Sequence, residues 1–478
     1  MLETLRFINL ISSMVRTQRL TPTQVHELQQ RRFRELLRYA YQHSPFYRRQ
    51  FRGIDLERCD ITDLPPLTKK DMMATYDDLP TDRRIHRPEL EQFMADPANL
   101  GKYFLGRYVV CHTSGSQGQP ALIVQEPDAG MMTMALQMAR GNREPKHILN
   151  GIKRLLRPAK WGLVTLKPDF YPSGIMFAYL PPGARRLIQL QWLSLFDPID
   201  ETVAKLNEFQ PNFLTGYASI LEPLARRETA GQLRLREGGR LKQITNISEP
   251  LSEEVRLRLE SAFGVHVSNQ YGMGECPHLT FGCPHAPGSH LNSDQAILEV
   301  VDDHYRAVPP GTPGAKVLVT NLVNHVQPFI RYEIDDMVTI SATPCPCGSQ
   351  FPLIQSVAGR SQDKLWVHVD GSYRDLTLFP FRVGLQKCFE VGEYQIVQTG
   401  RNRYVLRVVP LDGQTIDTKR VRAQVMAPMV LEGLASAVDV QVQIVDKIRP
   451  DPRSGKLKRV QNLVGPPPAE LGDRKEAA

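Results

Sequence analysis

Between residues 105 and 340 the chain alternates short apolar runs with stretches of helical spacing, and no other feature restricts its architecture as much. Val203, Leu206 and Phe209 share one helix face, and Val255, Leu259 and Phe263 share another that Ser252 can cap. Residues 296–301 and 316–320 read instead as strands. Helices that alternate with strands must bury an apolar stripe against a sheet, so the pattern predicts a layered α/β structure. After Gly359-Arg360 the texture changes. Residues 404–409 and 438–445 alternate with period two around a helix near 418–434, the mark of a small α+β domain with one covered sheet face. Upstream, Thr21-Pro22 opens a helix over 22–43 whose apolar positions are Leu28, Phe33, Leu36, Leu37 and Ala40.

A chain of 478 residues is too long for one ordinary core. We expect a large multi-sheet domain over 1–362, a small α+β domain over 363–464 and a disordered tail over 465–478, which is Pro-rich and then charged. With 41% hydrophobic and 23% charged residues the composition is that of a soluble globular protein. No apolar run approaches the roughly 20 residues of a membrane helix. The longest N-terminal candidate, 7–15, is interrupted by Asn9, Ser12 and Ser13 and lacks a small-residue cleavage pattern, so neither a span nor a signal peptide is expected. The expected location is the cytoplasm. The net charge of +8 does not imply nucleic acid, because acids are interleaved with the bases. The densest basic cluster, Arg31, Arg32, Arg34 and Arg38, reads as a solvated helix face, and no base-stacking strand pattern accompanies it.

The run His112-Thr113-Ser114-Gly115-Ser116-Gln117-Gly118-Gln119-Pro120 follows the apolar Tyr108-Val109-Val110. Its glycines let backbone N–H groups converge on an anion, and its small hydroxyls add donors without crowding, so the loop can fold around phosphate. Downstream, in order, come Ser248-Glu249-Pro250, Tyr271-Gly272-Met273-Gly274-Glu275, Arg331-Tyr332-Glu333-Ile334-Asp335-Asp336, Gly359-Arg360-Ser361-Gln362-Asp363 and Ser454-Gly455-Lys456. This ordered set resembles the core motifs of the adenylate-forming enzymes, the acyl-CoA and aryl-CoA ligase superfamily. Leu36-Leu37-Arg38-Tyr39-Ala40, Ser44-Pro45-Phe46-Tyr47, Leu64-Pro65-Pro66-Leu67-Thr68-Lys69, Cys345-Pro346-Cys347-Gly348 and Tyr394-Gln395-Ile396-Val397-Gln398 are similar to the phenylacetate-CoA ligase branch and its capsule-locus relatives. The resemblance runs from about residue 25 to about residue 463.

The resemblance implies a role for each motif. Thr113, Ser114, Gly115, Ser116 and Gly118 would cradle the β and γ phosphates of ATP. Glu275 would help hold Mg²⁺, which prefers hard oxygen ligands. Tyr271 and Gly272 would lie along the adenine, with the Ser248-Glu249-Pro250 backbone on its other face. Asp336 would accept hydrogen bonds from the ribose, and Arg360 would approach ribose or phosphate. Lys456 would bring a fixed positive charge to the reacting carboxylate and α-phosphate. The chain departs from the family pattern at four places. Gln119 stands where a lysine is usual, Gly274 where a threonine precedes the glutamate, Asp335 where a glycine precedes the aspartate, and Gln362 at the first acidic hinge position.

Spacing alone draws attention to Cys276, His278, Cys283, His285, His290, Cys345 and Cys347, since clustered thiolates and imidazoles suit tetrahedral Zn²⁺. The resemblance selects Cys283, His290, Cys345 and Cys347 and leaves Cys276, His278 and His285 over. Four protein ligands make a structural site, because a catalytic zinc keeps one position for water.

Taken together, the resemblance implies ATP-dependent activation of a carboxylic acid, aryl or related, to an acyl-adenylate that is passed to CoA. The mobile C-terminal domain would turn about residues 361–363 between the half-reactions. Two other outcomes are open at this point: capture of the adenylate by an amine, a hydroxyl or a carrier protein, or a catalytically weak nucleotide- or acyl-binding partner protein. Residues 171–179 and 215–219 are candidates for the acid pocket.

Overall fold

The structure, a computed structural model, describes residues 2–464 apart from 114–120, 141–157, 166–169, 361–364, 449–459 and the positions 181, 186–187, 196, 250, 252, 284, 287, 377, 386 and 412–413. It is an α/β molecule with several sheets, divided into a larger unit of Met1–Thr113 and Ala121–Gly359 and a smaller one containing Arg360–Ala478.

Helix α1 (Leu2–Thr17) is followed by α2 (Pro22–His43), where Thr21 and Gln24 form a reciprocal capping box and Pro22 needs no donor. Helix α2 buries Val25, Phe33, Leu36, Leu37 and Ala40. Its basic residues are not the fully solvated face expected from sequence. Arg32 and Arg34 are half-buried; Arg32 donates to the Asp294 carbonyl and Arg34 to the Leu56 carbonyl at 3.0 Å, so their stems cover apolar surface.

Strands β1 (Val109–His112) and β2 (Leu122–Gln125) pair antiparallel around the 113–121 loop. Helix α3 (Ala129–Arg140) then packs Met131, Met134 and Leu136 against Phe7 and Met14 of α1. The centre of the larger unit is a five-stranded parallel sheet in the order β4-β3-β5-β6-β7, made of β3 (Ala159–Thr165), β4 (Ile188–Ser194), β5 (Phe213–Gly216), β6 (Gln243–Ile247) and β7 (Val267–Gln270). Parallel strands need crossovers. The predicted helix α4 (Ile199–Phe209) supplies one, α5 (Ala218–Thr229), which was not expected from sequence, supplies another, and the predicted α6 (Glu253–Phe263) supplies a third.

Two antiparallel sheets complete this unit. One contains β10 (Ala296–Val301), β11 (Lys316–Asn321) and β12 (Tyr332–Ile334). The other runs β13-β14-β9-β8, from β8 (Thr280–Gly282), β9 (Ser289–Leu291), β13 (Asp336–Ile340) and β14 (Leu353–Arg360). Arg331, from the Arg-Tyr-Glu-Ile-Asp-Asp motif, is a tie in this region. It is buried with φ of 50°, pairs with Glu299 at 2.8 Å and donates to the carbonyls of Thr62 and Leu64.

The smaller unit has a hairpin of β15 (Leu365–Val369) and β16 (Ser372–Leu376), then α7 (Phe379–Leu385), β17 (Val391–Gly400), β18 (Arg403–Pro410), α8 (Thr418–Leu431), β19 (Asp439–Ile444) and β20 (Val460–Asn462). Its sheet order is β19-β18-β17-β20. Tyr404, Leu406 and Val408 of β18 join Val421, Val425 and Met429 of α8 in one core, as the period-two pattern requires. Helix α8 ends three residues earlier than its spacing suggests. Gly433, at φ 69°, takes the left-handed position that terminates helices, and Leu434 bonds back to the Met429 carbonyl.

Candidate active site

The described motif residues of the larger unit gather at the carboxyl edge of the parallel sheet. In open α/β sheets this edge is where ligands bind, because strand ends there open into loops around a crevice. Strand β6 ends at Ile247 and runs into Ser248-Glu249; β7 ends at Gln270 and runs into Tyr271–Glu275. Ser248 has φ of 64°, an uncommon conformation for a residue with a side chain. It is held by Asn246, buried on β6, which donates to the Glu249 carbonyl and to Asn269 Oδ1, both at 2.8 Å. Asn246 belongs to none of the sequence motifs; its one signal is its place two residues after Ile244, on the buried phase of the strand.

The next loop is tighter. Met273 and Cys276 bridge backbone to backbone and enclose Gly274 and Glu275 as the tip of the turn. A Cβ on Gly274 would lie 2.7 Å from Ile123 Cδ1 and 3.3 Å from Thr113 Cγ2, so the hairpin of β1 and β2 packs directly on this backbone. A threonine at this position would have to displace Ile123. Glu275 is buried, at 5% exposure. Burial raises the thiol pKa values of Cys111 on β1 and of Cys276, and the Glu275 charge raises both further.

Of the phosphate-loop residues, Thr113 closes the neck. Its N–H donates to the Ala121 carbonyl at 2.9 Å and its Oγ1 accepts from the Ala121 N–H at 3.0 Å. Ser114, Gly115, Ser116, Gly118 and Gln119 lie outside the described residues, as do Pro250, Gln362, Asp363 and Lys456, and the side chain of Arg360. Gly272 is in place beside Tyr271; a Cβ there would come within 3.1 Å of the Pro277 carbonyl oxygen. Tyr271 Oη donates to Asp336 Oδ2 at 2.9 Å, so the two residues assigned to adenine and ribose touch each other. Among the pocket candidates, Tyr171 meets His112 edge-on at 4.6 Å, Tyr179 donates to the Lys102 carbonyl, and Thr215 accepts from Trp161 Nε1.

Four side chains converge elsewhere in the larger unit, Cys283 from just after β8, His290 from β9, and Cys345 and Cys347 from the loop between β13 and β14. Cys283, His290, Cys345 and Cys347 bring one ligand atom each within 4.8 Å of one another. Cys283 Sγ lies 3.5 Å from Cys345 Sγ, and His290 Nε2 lies 3.2 Å from Cys347 Sγ. A tetrahedron with Zn–S bonds near 2.3 Å has edges of about 3.8 Å, so the spacing fits one ion. His290 Nδ1 is 2.8 Å from the Phe351 carbonyl, a contact of the kind that orients a ligating imidazole, and its Nε2 faces Cys347 Sγ. Burial pushes the Cys283 thiol up to about 12. The leftover residues separate from this set: Cys276 and His278 face each other at 3.6 Å, and His285 is exposed with only its backbone N–H on Cys283 Sγ.

Comparison with known proteins agrees with the motif reading. Residues 106–320 match the family model described as AMP-binding enzyme. The phenylacetate-coenzyme A ligase of Thermus thermophilus is 25% identical over 74% of this chain and 73% of its own length, and Protein CapK of Staphylococcus aureus is 22% identical over 74% and 71%. A solved structure of 2-hydroxyisobutyryl-CoA ligase, in complex with 2-HIB-AMP and CoA, superposes with a TM-score of 0.59 at 21% identity, covering 93% of this chain and 91% of that one. No described helix is long and apolar enough to cross a membrane. Residues 106–320 thus match the AMP-binding enzyme model, and over about three quarters of its length the chain is similar to phenylacetate-coenzyme A ligases and to CapK.

Proposed function

We propose that this protein is an AMP-forming acid–thiol ligase. In the first half-reaction a substrate carboxylate oxygen attacks the α-phosphorus of ATP, and pyrophosphate leaves. In the second the sulfur of CoA attacks the acyl carbon, and AMP leaves with the bonding pair. The observation that carries this reading is the packing of the phosphate-loop hairpin onto the Gly274-Glu275 turn, with Tyr271 and Asp336 bonded beside it, at the carboxyl edge of a parallel sheet. That arrangement supports the reading because the neck of the candidate phosphate loop, at Thr113, meets the turn that carries the buried Glu275 carboxylate, and a nucleotide triphosphate with its cation requires an anion-binding loop beside a carboxylate.

Glu275 is the residue suited to hold Mg²⁺, which would neutralise charge on the phosphates. Thr113 sets the neck of the loop whose Ser114, Gly115, Ser116 and Gly118 take the phosphates. Ser248, Glu249, Pro250, Tyr271 and Gly272 flank the base, Asp336 takes the ribose, and Arg360 reaches ribose or phosphate. Lys456 supplies positive charge in the adenylation step only. Residues 363–464 form the mobile domain in this reading, and a turn about 361–363 withdraws Lys456 before thioester formation. Cys283, His290, Cys345 and Cys347 bind a structural Zn²⁺. The relatives' names favour an aryl acid.

The test is ATP–pyrophosphate exchange across a panel of aryl and short aliphatic acids with Mg²⁺, followed by product analysis with CoA. We expect exchange with at least one acid and a CoA thioester of the same acid. Nucleotide binding with no exchange for any acid would instead favour the partner-protein reading.

A further inference from the structure

We infer that a frame of buried side-chain amides, with Gln125 at its centre, positions Glu275 relative to the hairpin of β1 and β2. The inference rests on the proposed role of Glu275 and extends it to residues with no contact to nucleotide.

The hairpin of β1 and β2 is a two-stranded sheet, and among the described residues β2 has no third strand to bond its outer edge. Amides from the 321–327 loop stand in for one. Gln327 Oε1 accepts from the Val124 N–H at 2.7 Å and its Nε2 donates to the Leu122 carbonyl at 3.2 Å; Asn324 Nδ2 donates to the Val124 carbonyl at 3.0 Å and its Oδ1 accepts from the Glu126 N–H at 3.2 Å. From this edge two further amides reach the acid turn. Gln125 Nε2 donates to the Gly274 carbonyl at 2.7 Å, and Asn321 Nδ2 donates to the Glu275 carbonyl at 2.8 Å. All four side chains are at most 3% exposed.

Two consecutive carbonyls are therefore each held by a buried amide, and one of those amides belongs to β2. The side chains of Gln125 and Asn321 also border a cavity of about 650 Å³ together with His278 and Met131. Hydrogen bonds thus contribute to locating the turn where close packing is incomplete. Gln125 Oε1 has no hydrogen-bond partner among the described residues, so the bond to Gly274 alone orients its amide. A buried amide tolerates an unmet acceptor only at a cost, which here accompanies the positioning of a reacting loop.

The experiment compares Gln125→Met and Glu275→Gln with the unaltered protein in two measurements. One is Mn²⁺ binding to the enzyme–ATP complex, followed by electron paramagnetic resonance with no turnover; the other is ATP binding in EDTA. Glu275→Gln should weaken Mn²⁺ binding strongly. Gln125→Met should weaken it about three- to tenfold, the effect of losing one buried hydrogen bond, with metal-free ATP binding unchanged. If Glu275→Gln loses Mn²⁺ affinity and Gln125→Met does not, the positioning role is overturned and the Glu275 reading stands. If Glu275→Gln binds Mn²⁺ normally, both fall. Should Gln125→Met not fold, Asn321→Ser removes only the second clamp and is read in the same way.

Discussion

Adding one methyl group at Gly274 tests how closely the phosphate-loop hairpin is packed on the acid turn. The new Cβ would sit 2.7 Å from Ile123 Cδ1, whereas carbon atoms in contact lie about 3.5–4.0 Å apart, so one of them must move by about 1 Å. Ile123 is fully buried within the main core of the larger unit, where a side chain moves only by displacing its neighbours. Overpacking of this kind costs about 1–3 kcal/mol, and threonine, with two more atoms, should fall at the upper end. Removing the offending Cδ1 by Ile123→Val costs about 0.5–1.5 kcal/mol alone. If the clash is the cause, Gly274→Ala with Ile123→Val should be less destabilised than the sum of the singles by about 1 kcal/mol. A chain of two units need not unfold in one step, so the transition of the larger unit has to be isolated. Trp366→Phe leaves Trp161 and Trp192, both in the parallel sheet, as the reporters in a urea titration. Additivity of the two substitutions to within about 0.5 kcal/mol would refute the argument, because it would mean the hairpin has slack at this contact.

Purified protein should contain about one zinc per chain, and Cys345→Ser should lose it and melt at lower temperature, because structural metal binding is part of the folding free energy; metal-free protein of unchanged stability removes the site. Lys456→Ala should reduce pyrophosphate exchange about 10²–10³-fold and leave thiol transfer from supplied acyl-adenylate nearly intact, while Lys458→Ala serves as control; equal behaviour of the two variants counts against the assignment. Burial holds the His278 imidazole at a pKa of about 4, below the 6.5 of an exposed one. The unfolded chain then takes up a proton that the folded chain refuses, so this stability is complete above pH 6.5 and falls by about 3 kcal/mol as pH drops to 4. His278→Gln should flatten that part of the stability profile measured by urea titration, and an unchanged profile would mean that His278 is not held neutral.

Much of the site is legible in the sequence because its parts are local. The Thr113 loop, the Tyr271 turn and the helix opened by Thr21 are each set by a few neighbouring residues whose conformational preferences are strong. For the soft ligands, spacing draws attention to seven residues, and the family resemblance narrows them to Cys283, His290, Cys345 and Cys347, the four that converge in the fold. Asn246, Gln125 and Asn321 are not legible. An amide near the end of an apolar strand looks like an ordinary edge residue, and only the fold reveals that the partner of Gln125 is a carbonyl 149 positions away. The half-buried arginines of α2 escape a sequence reading for a similar reason: the Leu56 carbonyl that Arg34 meets lies 22 positions further along the chain, beyond the end of the helix.

Sequence by itself determined the α/β layering, the order of the motifs and the chemical character of each candidate group, because hydrophobic period, turn residues and ligand type are properties of short segments. Tertiary structure decided what those groups do to one another. It set Tyr271 on Asp336, pressed Ile123 so close to Gly274 that a Cβ there would have to displace it, and bonded the backbone of Glu275 to an amide on β11. Those contacts depend on angstrom-level packing between segments distant in the chain, and close packing is a property of the folded whole rather than of any stretch of residues.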